Sequence, residues 1–329
     1  MNNFDIRECM HYQKQEGTAV QCLLCPHLCI LRESETGLCR GRQNQDGRLI
    51  ATNYGRSIGL AVDPIEKKPL YHFHPGSSIL SLGPNSCNLS CFFCQNHNSS
   101  QEPSPTLDIS PEQLLDLIRE RNLTAQVAFT YTEPLTWFEY IYDFARLAPD
   151  VDIVLISNGF INPEPLKQLL PFVKAMNIDL KSFRDQFYQD HCGASLDVTL
   201  QTITNAHEAG VHLELTNLLI PGLNDSDEDI RDLVQFVAEL DKRIPLHFSA
   251  YHPAYKSNIP ATPLATVLKA CRMARESLDF VYAGNIGPNE FSATKCPNCG
   301  SELISRGRRV VGLDGAACKS CGQEIYGVF

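Results

Sequence analysis

The stretch NSCNLSCFFCQN (residues 85–96) places Cys87, Cys91 and Cys94 within eight residues, directly behind the apolar run SILSLG. A short apolar run that ends in Gly-Pro predicts a buried strand feeding a loop. Beyond that loop the pattern alternates. SPEQLLDLIRERN carries Ser110 as a cap, Pro111 at the first helical position and apolar residues at helical spacing. AQVAFTYTEP predicts a second strand, LTWFEYIYDFARLA a helix, VDIVLISNGF a third strand, PEPLKQLLPFV a helix and KAMNIDLKSF a fourth strand. A helix near DVTLQTITNAHEAG, the strand HLELTNLLIPG, a helix in DEDIRDLVQFVAEL, the strand IPLHFSAYHP and a helix over PLATVLKACRMARES follow. These make six strand-then-helix units between Ile79 and Tyr282. Such alternation predicts an α/β protein with parallel strands and right-handed helical crossovers. Six units over about 200 residues suit a partial, TIM-like (β/α)6 barrel better than a closed eightfold one, with functional residues at the C-terminal ends of the strands.

The chain has 329 residues, 43% of them hydrophobic and 20% charged, enough for a large core. Its net charge of -10 argues against a generic nucleic-acid binder, which needs a basic face. The N-terminal MNNFDIRECMHYQKQ lacks a basic-then-apolar signal pattern, and no apolar run approaches the roughly 20 residues of a membrane span. A cytoplasmic protein is expected.

Eleven of the 14 cysteines fall into three tight groups, leaving Cys9, Cys192 and Cys271 apart. In a long chain without a signal segment, clustered cysteine pairs read as metal sites rather than disulfides. Cys296, Cys299, Cys318 and Cys321 form two CxxC knuckles, a zinc-ribbon pattern with a closed coordination shell. Cys22, Cys25, Cys29 and Cys39 are less regular and fit either zinc or an auxiliary iron–sulfur cluster, with His27 a candidate replacement ligand. Three parts follow: an N-terminal cysteine-rich segment (1–75), the barrel (76–285) and a C-terminal zinc-ribbon-like module (286–329).

The central group has only three cysteines, whereas zinc and most clusters take four protein ligands. Three readings are open: a structural zinc with a distant fourth ligand, three unrelated buried cysteines, or a [4Fe–4S] cluster with one iron open to a small chelating molecule. The spacing CxxxCxxC, with aromatic Phe93 before the last cysteine, resembles the radical S-adenosylmethionine (SAM) superfamily. That resemblance implies a radical SAM barrel in which the methionyl amine and carboxylate of SAM bind the open iron. It also implies cleavage of SAM to methionine and a 5'-deoxyadenosyl radical that abstracts hydrogen.

The same resemblance implies SAM contacts along the strand ends. Glu133 stands where the superfamily often has Gly-Gly-Glu, with Tyr131 and Thr132 in place of the glycines; a carboxylate there also suits a helix N-terminus. SNGF, with Asn158, and DLK, with Asp179 and Lys181, are similar to the glycyl-radical-enzyme activases typified by the pyruvate formate-lyase activating enzyme. Asp179 and Lys181 share one face of a strand, so they suit a zwitterionic ligand or simply pair with each other. His252 in HFSAYHPAYK matches an activase histidine near SAM, or is an ordinary strand-end polar residue. DPIEKKPLYHF, with Glu66, Lys67, Lys68, Tyr71, His72 and His74, reads first as a solvated charged turn; the family resemblance alternatively implies a segment that leads into the active edge and meets substrate or partner.

Along nearly its whole length the chain resembles the AmmeMemoRadiSam-type radical SAM proteins, through CLLCPHLC…TGLCRGRQNQDG, VDPIEKKPLYHFHPGS, LGPNSCNLSCFFCQN, FTYTEP and the closing YGVF. This implies Memo-like and AMMECR-like partners, and a reduced flavodoxin or ferredoxin as electron donor. The expected function is hydrogen abstraction from a small-molecule or protein substrate. The alternatives are an activating enzyme of a glycyl radical enzyme and a catalytically inactive zinc-binding scaffold.

Overall fold

The computed structural model describes residues 6–120, 125–306, 310–311 and 315–329. Seven parallel strands form the centre: β1 (Ser78–Pro84), β2 (Gln126–Phe129), β3 (Asp152–Ser157), β4 (Val173–Asp179), β5 (His212–Leu219), β6 (Leu246–Ala250) and β7 (Val281–Gly284). Each pairs with its sequence neighbour in simple order. Strand Arg56–Pro64 joins the sheet antiparallel to β1, and the short strand Leu107–Asp108 pairs with its other side. The sheet is therefore a partial α/β barrel. Its strands are buried on both faces, which is why they read as near-continuous apolar runs.

Two features differ from the sequence expectation. β7 follows the last helix and makes a seventh strand; at four residues its own signal is weak, and pairing with β6 defines it. The sheet also reaches back to Arg56, inside the 1–75 segment assigned to the N-terminal module.

The crossover helices are α1 (Pro111–Glu120), α2 (Phe138–Leu147), α3 (Pro163–Leu169), α4 (Asp185–Cys192), α5 (Leu196–Glu208), α6 (Asp227–Asp241) and α7 (Leu264–Arg275). α1 starts with a reciprocal capping box. Ser110 Oγ accepts from Gln113 N–H at 3.2 Å, and Gln113 Oε1 accepts from Ser110 N–H at 2.8 Å. α4 stops at Gly193 in the left-handed region. No helix of the described residues is long and apolar enough to cross a membrane.

The N-terminal segment forms a three-stranded antiparallel sheet and a hairpin, Arg42–Gln45 with Arg48–Ala51. Asp46 and Gly47 turn that hairpin at φ 53° and 71°, as a two-residue type I′ turn requires. The C-terminal segment docks on the opposite end of the barrel from the cysteine loop. Tyr326 accepts a hydrogen bond from Leu213 N–H at the start of β5, and Val328 N–H donates to His72 O.

His72 is fully buried and ties the two together. Its Nδ1 donates to Tyr326 O, and its Nε2 accepts from the Tyr282 hydroxyl. DPIEKKPLYHF is thus no solvated turn: Lys68 and His72 are buried, and Glu214 accepts from His72 N–H while pairing with His212 and His247.

Candidate functional site

β1 delivers the cysteine loop to the C-terminal rim. Gly83 is needed there because a Cβ would fall 1.9 Å from the Thr130 carbonyl oxygen at the end of β2. Cys87, Cys91 and Cys94 line one cavity of about 1570 Å³, counted out to its open mouth, together with Phe93, Glu133, Asn158, Asp179 and Lys181. Eight of the nine central residues singled out in the sequence are thus brought together. The ninth, His252, is not. It is exposed just past β6, beyond buried Tyr251, and its ring reaches Gln95 Nε2 at 3.0 Å; Gln95 lines the cavity in its place.

The sulfurs lie among donors. Leu89 N–H approaches Cys87 Sγ at 3.4 Å, Asn158 Nδ2 at 3.9 Å, and Ser100 Oγ lies 3.1 Å from Cys94 Sγ. Donors of this kind stabilise thiolates and tune whatever metal they hold. With no metal bound, burial pushes the Cys87 thiol up, and Glu133 adds to the push. A hydrogen bond from Cys192 lowers the Cys91 thiol and raises Cys192 itself. Cys192, isolated in sequence, therefore stands behind Cys91 without lining the cavity.

Glu133 is buried and fully engaged. Oε1 accepts from Leu135 N–H at 2.9 Å and Ser157 Oγ at 2.8 Å, and Oε2 from Asn158 N–H at 2.7 Å. It caps the turn Pro134–Trp137, as the helix-terminus reading expects, and also lines the cavity. Burial pushes its carboxyl up to about 7, against the pull of those three donors. Lys181 Nζ pairs with Asp179 Oδ2 at 3.0 Å. Burial lowers the Lys181 ammonium, but Asp179 and Cys91 outweigh it and hold the group well above its usual range.

A second wall comes from DPIEKKPLYHF and Tyr131, so that segment does lead into the cavity edge. Asp63 and Lys68 line the cavity, with Lys68 Nζ on Asp63 Oδ2 at 2.8 Å and 4.6 Å from the Tyr131 ring centroid. The Tyr131 hydroxyl donates to Asp63. Burial raises the Asp63 carboxyl, yet its Lys68, Lys67 and Tyr131 partners bring it down to about 2. Tyr131 has φ 71°, a backbone conformation that ordinarily favours glycine. It occupies the first position of the expected Gly-Gly-Glu, so a non-glycine residue here adopts a conformation that glycine would take without strain.

The outer cysteine groups differ from each other. Cys296, Cys299, Cys318 and Cys321 have sulfurs within 4.8 Å of one another, with Cys296–Cys321 at 3.6 Å and Cys299–Cys318 at 3.7 Å. Cys22, Cys25, Cys29 and Cys39 line one apolar cavity with Arg42 and Asn88 but do not converge to that distance.

A partial α/β barrel with three thiols at its strand-end mouth offers an iron–sulfur cluster three ligands and leaves one position open. The sequence profile of the Radical SAM superfamily matches residues 83–237. An uncharacterized protein of Methanocaldococcus jannaschii is 41% identical over 333 residues, spanning 97% of this chain and 99% of its own. Pyruvate formate-lyase 1-activating enzyme of Escherichia coli K12 is 22% identical over 175 residues, 50% of this chain and 71% of that enzyme. A radical SAM methyltransferase from Sphaerobacter thermophilus shares the fold, with a TM-score of 0.51 at 14% identity over 65% of this chain and 68% of that one. The chain belongs to the radical SAM superfamily, and its domain is that of an enzyme of the radical SAM class.

Proposed function

We propose that this protein holds a [4Fe–4S] cluster on Cys87, Cys91 and Cys94, binds SAM against it, and initiates hydrogen abstraction from a small-molecule or protein substrate. The observation that carries this is the convergence of those thiols with Glu133, Asn158, Asp179 and Lys181 on one strand-end cavity. The residues present fit the group: three sulfurs supply three ligands and leave one coordination position to an exogenous chelator. When bound, the cluster supplies one electron that splits SAM into methionine and a 5'-deoxyadenosyl radical.

The chain's own residues do the positioning. Lys181 faces the methionyl carboxylate, while Glu133 and Asp179 offer carboxylates to the amine. Phe93, packed 5.8 Å from Phe187 by ring centroids, holds the cysteine loop against α4. The Asp63–Lys68–Tyr131 wall bounds the far side, where substrate enters. A reduced flavodoxin or ferredoxin is the electron donor, and Memo-like and AMMECR-like proteins are the partners, both by family resemblance. The C-terminal sulfurs stand at the spacing of a tetrahedral zinc site, about 3.8 Å for a Zn–S bond of about 2.3 Å.

The test is anaerobic reconstitution, EPR of the dithionite-reduced protein with and without SAM, and an assay for 5'-deoxyadenosine. A signal that shifts with SAM, with 5'-deoxyadenosine formed, is expected. A SAM-insensitive spectrum without cleavage in iron-loaded protein would return the chain to a zinc-binding scaffold.

A further inference from the structure

We infer that Cys22, Cys25, Cys29 and Cys39 hold a second iron–sulfur cluster, of more than one iron, and not a zinc ion. All four line one cavity, together with leucines, His27, Arg42, Asn88 and Thr136.

The first argument is spacing. Four thiolates around one zinc stand about 3.8 Å apart. Two pairs of the C-terminal four already stand at 3.6 and 3.7 Å and all four lie within 4.8 Å of one another, while among the described residues the N-terminal four do not come within 4.8 Å of one another as a set. The central three likewise stand wider than a single ion requires. A cluster places several metal atoms between its ligands, so its thiolates stand further apart than those of one ion. Neither the N-terminal set nor the central cysteines gather as tightly as the C-terminal ones.

The second argument is a buried donor. Arg42 lines the cavity at 1% exposure, with Nη1 and Nη2 on Glu139 at 3.1 and 2.8 Å. Its Nε–H has no hydrogen-bond partner among the described residues. Buried donors are rarely left unpaired. Metal-bound thiolates, of a cluster as of a single ion, supply acceptors that neutral thiols scarcely do, so this donor argues for a metal and the spacing for a cluster.

The third observation is place. Asn88 lines this cavity, while its neighbours Cys87 and Leu89 line the central one. His27 touches Asn88 O at 2.7 Å, and Asn88 Oδ1 accepts from Asn158 Nδ2 at 2.9 Å. The two sites share a wall one residue thick.

The experiment separates this site from the central one. The Cys87→Ala/Cys91→Ala/Cys94→Ala protein is reconstituted anaerobically, and iron, zinc and acid-labile sulfide are measured, with EPR after dithionite. We expect about two to four iron, matching sulfide and a SAM-insensitive reduced-cluster signal. Zinc at this site without sulfide, or no metal beyond that of the C-terminal cysteines, overturns the inference. The Cys22→Ser/Cys39→Ser protein with the central cysteines intact is the converse, expected to lose that iron while keeping the central complement. Should either variant not fold, sulfide in the unaltered protein decides: only about four per chain overturns the second cluster. Because the triple variant lacks the central site, its result does not depend on SAM cleavage, and either conclusion can fail alone.

Discussion

Glu133 shows how one side chain serves structure and chemistry together. Three donors converge on it, so Glu133→Gln turns its amide against at least one N–H. We expect a stability loss of about 1–3 kcal/mol, read by urea denaturation, and SAM affinity at least about tenfold weaker, or 1.4 kcal/mol, read by equilibrium binding. Unchanged affinity would remove Glu133 from the SAM site. Arg42 and Glu139 form the counterpart beside the N-terminal cysteines, with both side chains 1% exposed. Burial raises the Glu139 carboxyl, but the Arg42 guanidinium overrides it and holds it below the usual range. Glu139→Ala leaves a buried guanidinium without its partner, which costs about 3–5 kcal/mol. A denaturation midpoint near that of the unaltered protein would contradict the pair's role. Neither residue was singled out in the sequence, because an ion pair 97 positions apart has no local signature.

At the scale of elements, the strand–helix alternation was legible because parallel strands buried on both faces stay apolar throughout. Ser110 and Pro111 marked the start of α1, and Ser110→Ala should cost about 1 kcal/mol through loss of the cap. The check is a lowered denaturation midpoint with an unchanged slope. The seventh strand was missed because four residues carry little periodicity, and the N-terminal hairpin because its strands are only four residues each. Tyr131 is the reverse case. The sequence showed a departure from Gly-Gly-Glu, and only the tertiary structure shows that Tyr131 is left-handed and that its ring and hydroxyl meet Lys68 and Asp63.

The whole molecule uses the two ends of one sheet differently. The central cysteines and their cavity lie at the strand C-termini, while the C-terminal segment closes the N-terminal end through His72, Tyr282, Glu214 and Tyr326. His72 is faced by Glu214, His212 and Arg306, and burial, the largest effect, lowers it from 6.5 to about 4. An imidazole held neutral on folding contributes stability that is complete above pH 6.5 and is lost as pH falls toward 4, because the unfolded chain binds the proton more readily. This linkage should weaken the fold by about 2 kcal/mol between pH 7.5 and pH 5. A flat stability profile over that interval would show that His72 is not held neutral. Cys296→Ser/Cys321→Ser should release the metal of the C-terminal site yet leave the central iron and 5'-deoxyadenosine formation intact, as metal analysis and product assay would show.

The sequence by itself determined the alternating barrel, the three cysteine groups and the central cysteines at a strand end. These follow from periodicity and from ligand spacing, both local along the chain. The tertiary structure alone decided that Lys68 and His72 are buried, that His252 stays outside the cavity, and that Cys192 backs Cys91. It also decided that the two outer cysteine groups differ in spacing. Each of these depends on which distant segments come to lie side by side, and that is fixed by packing across the sheet.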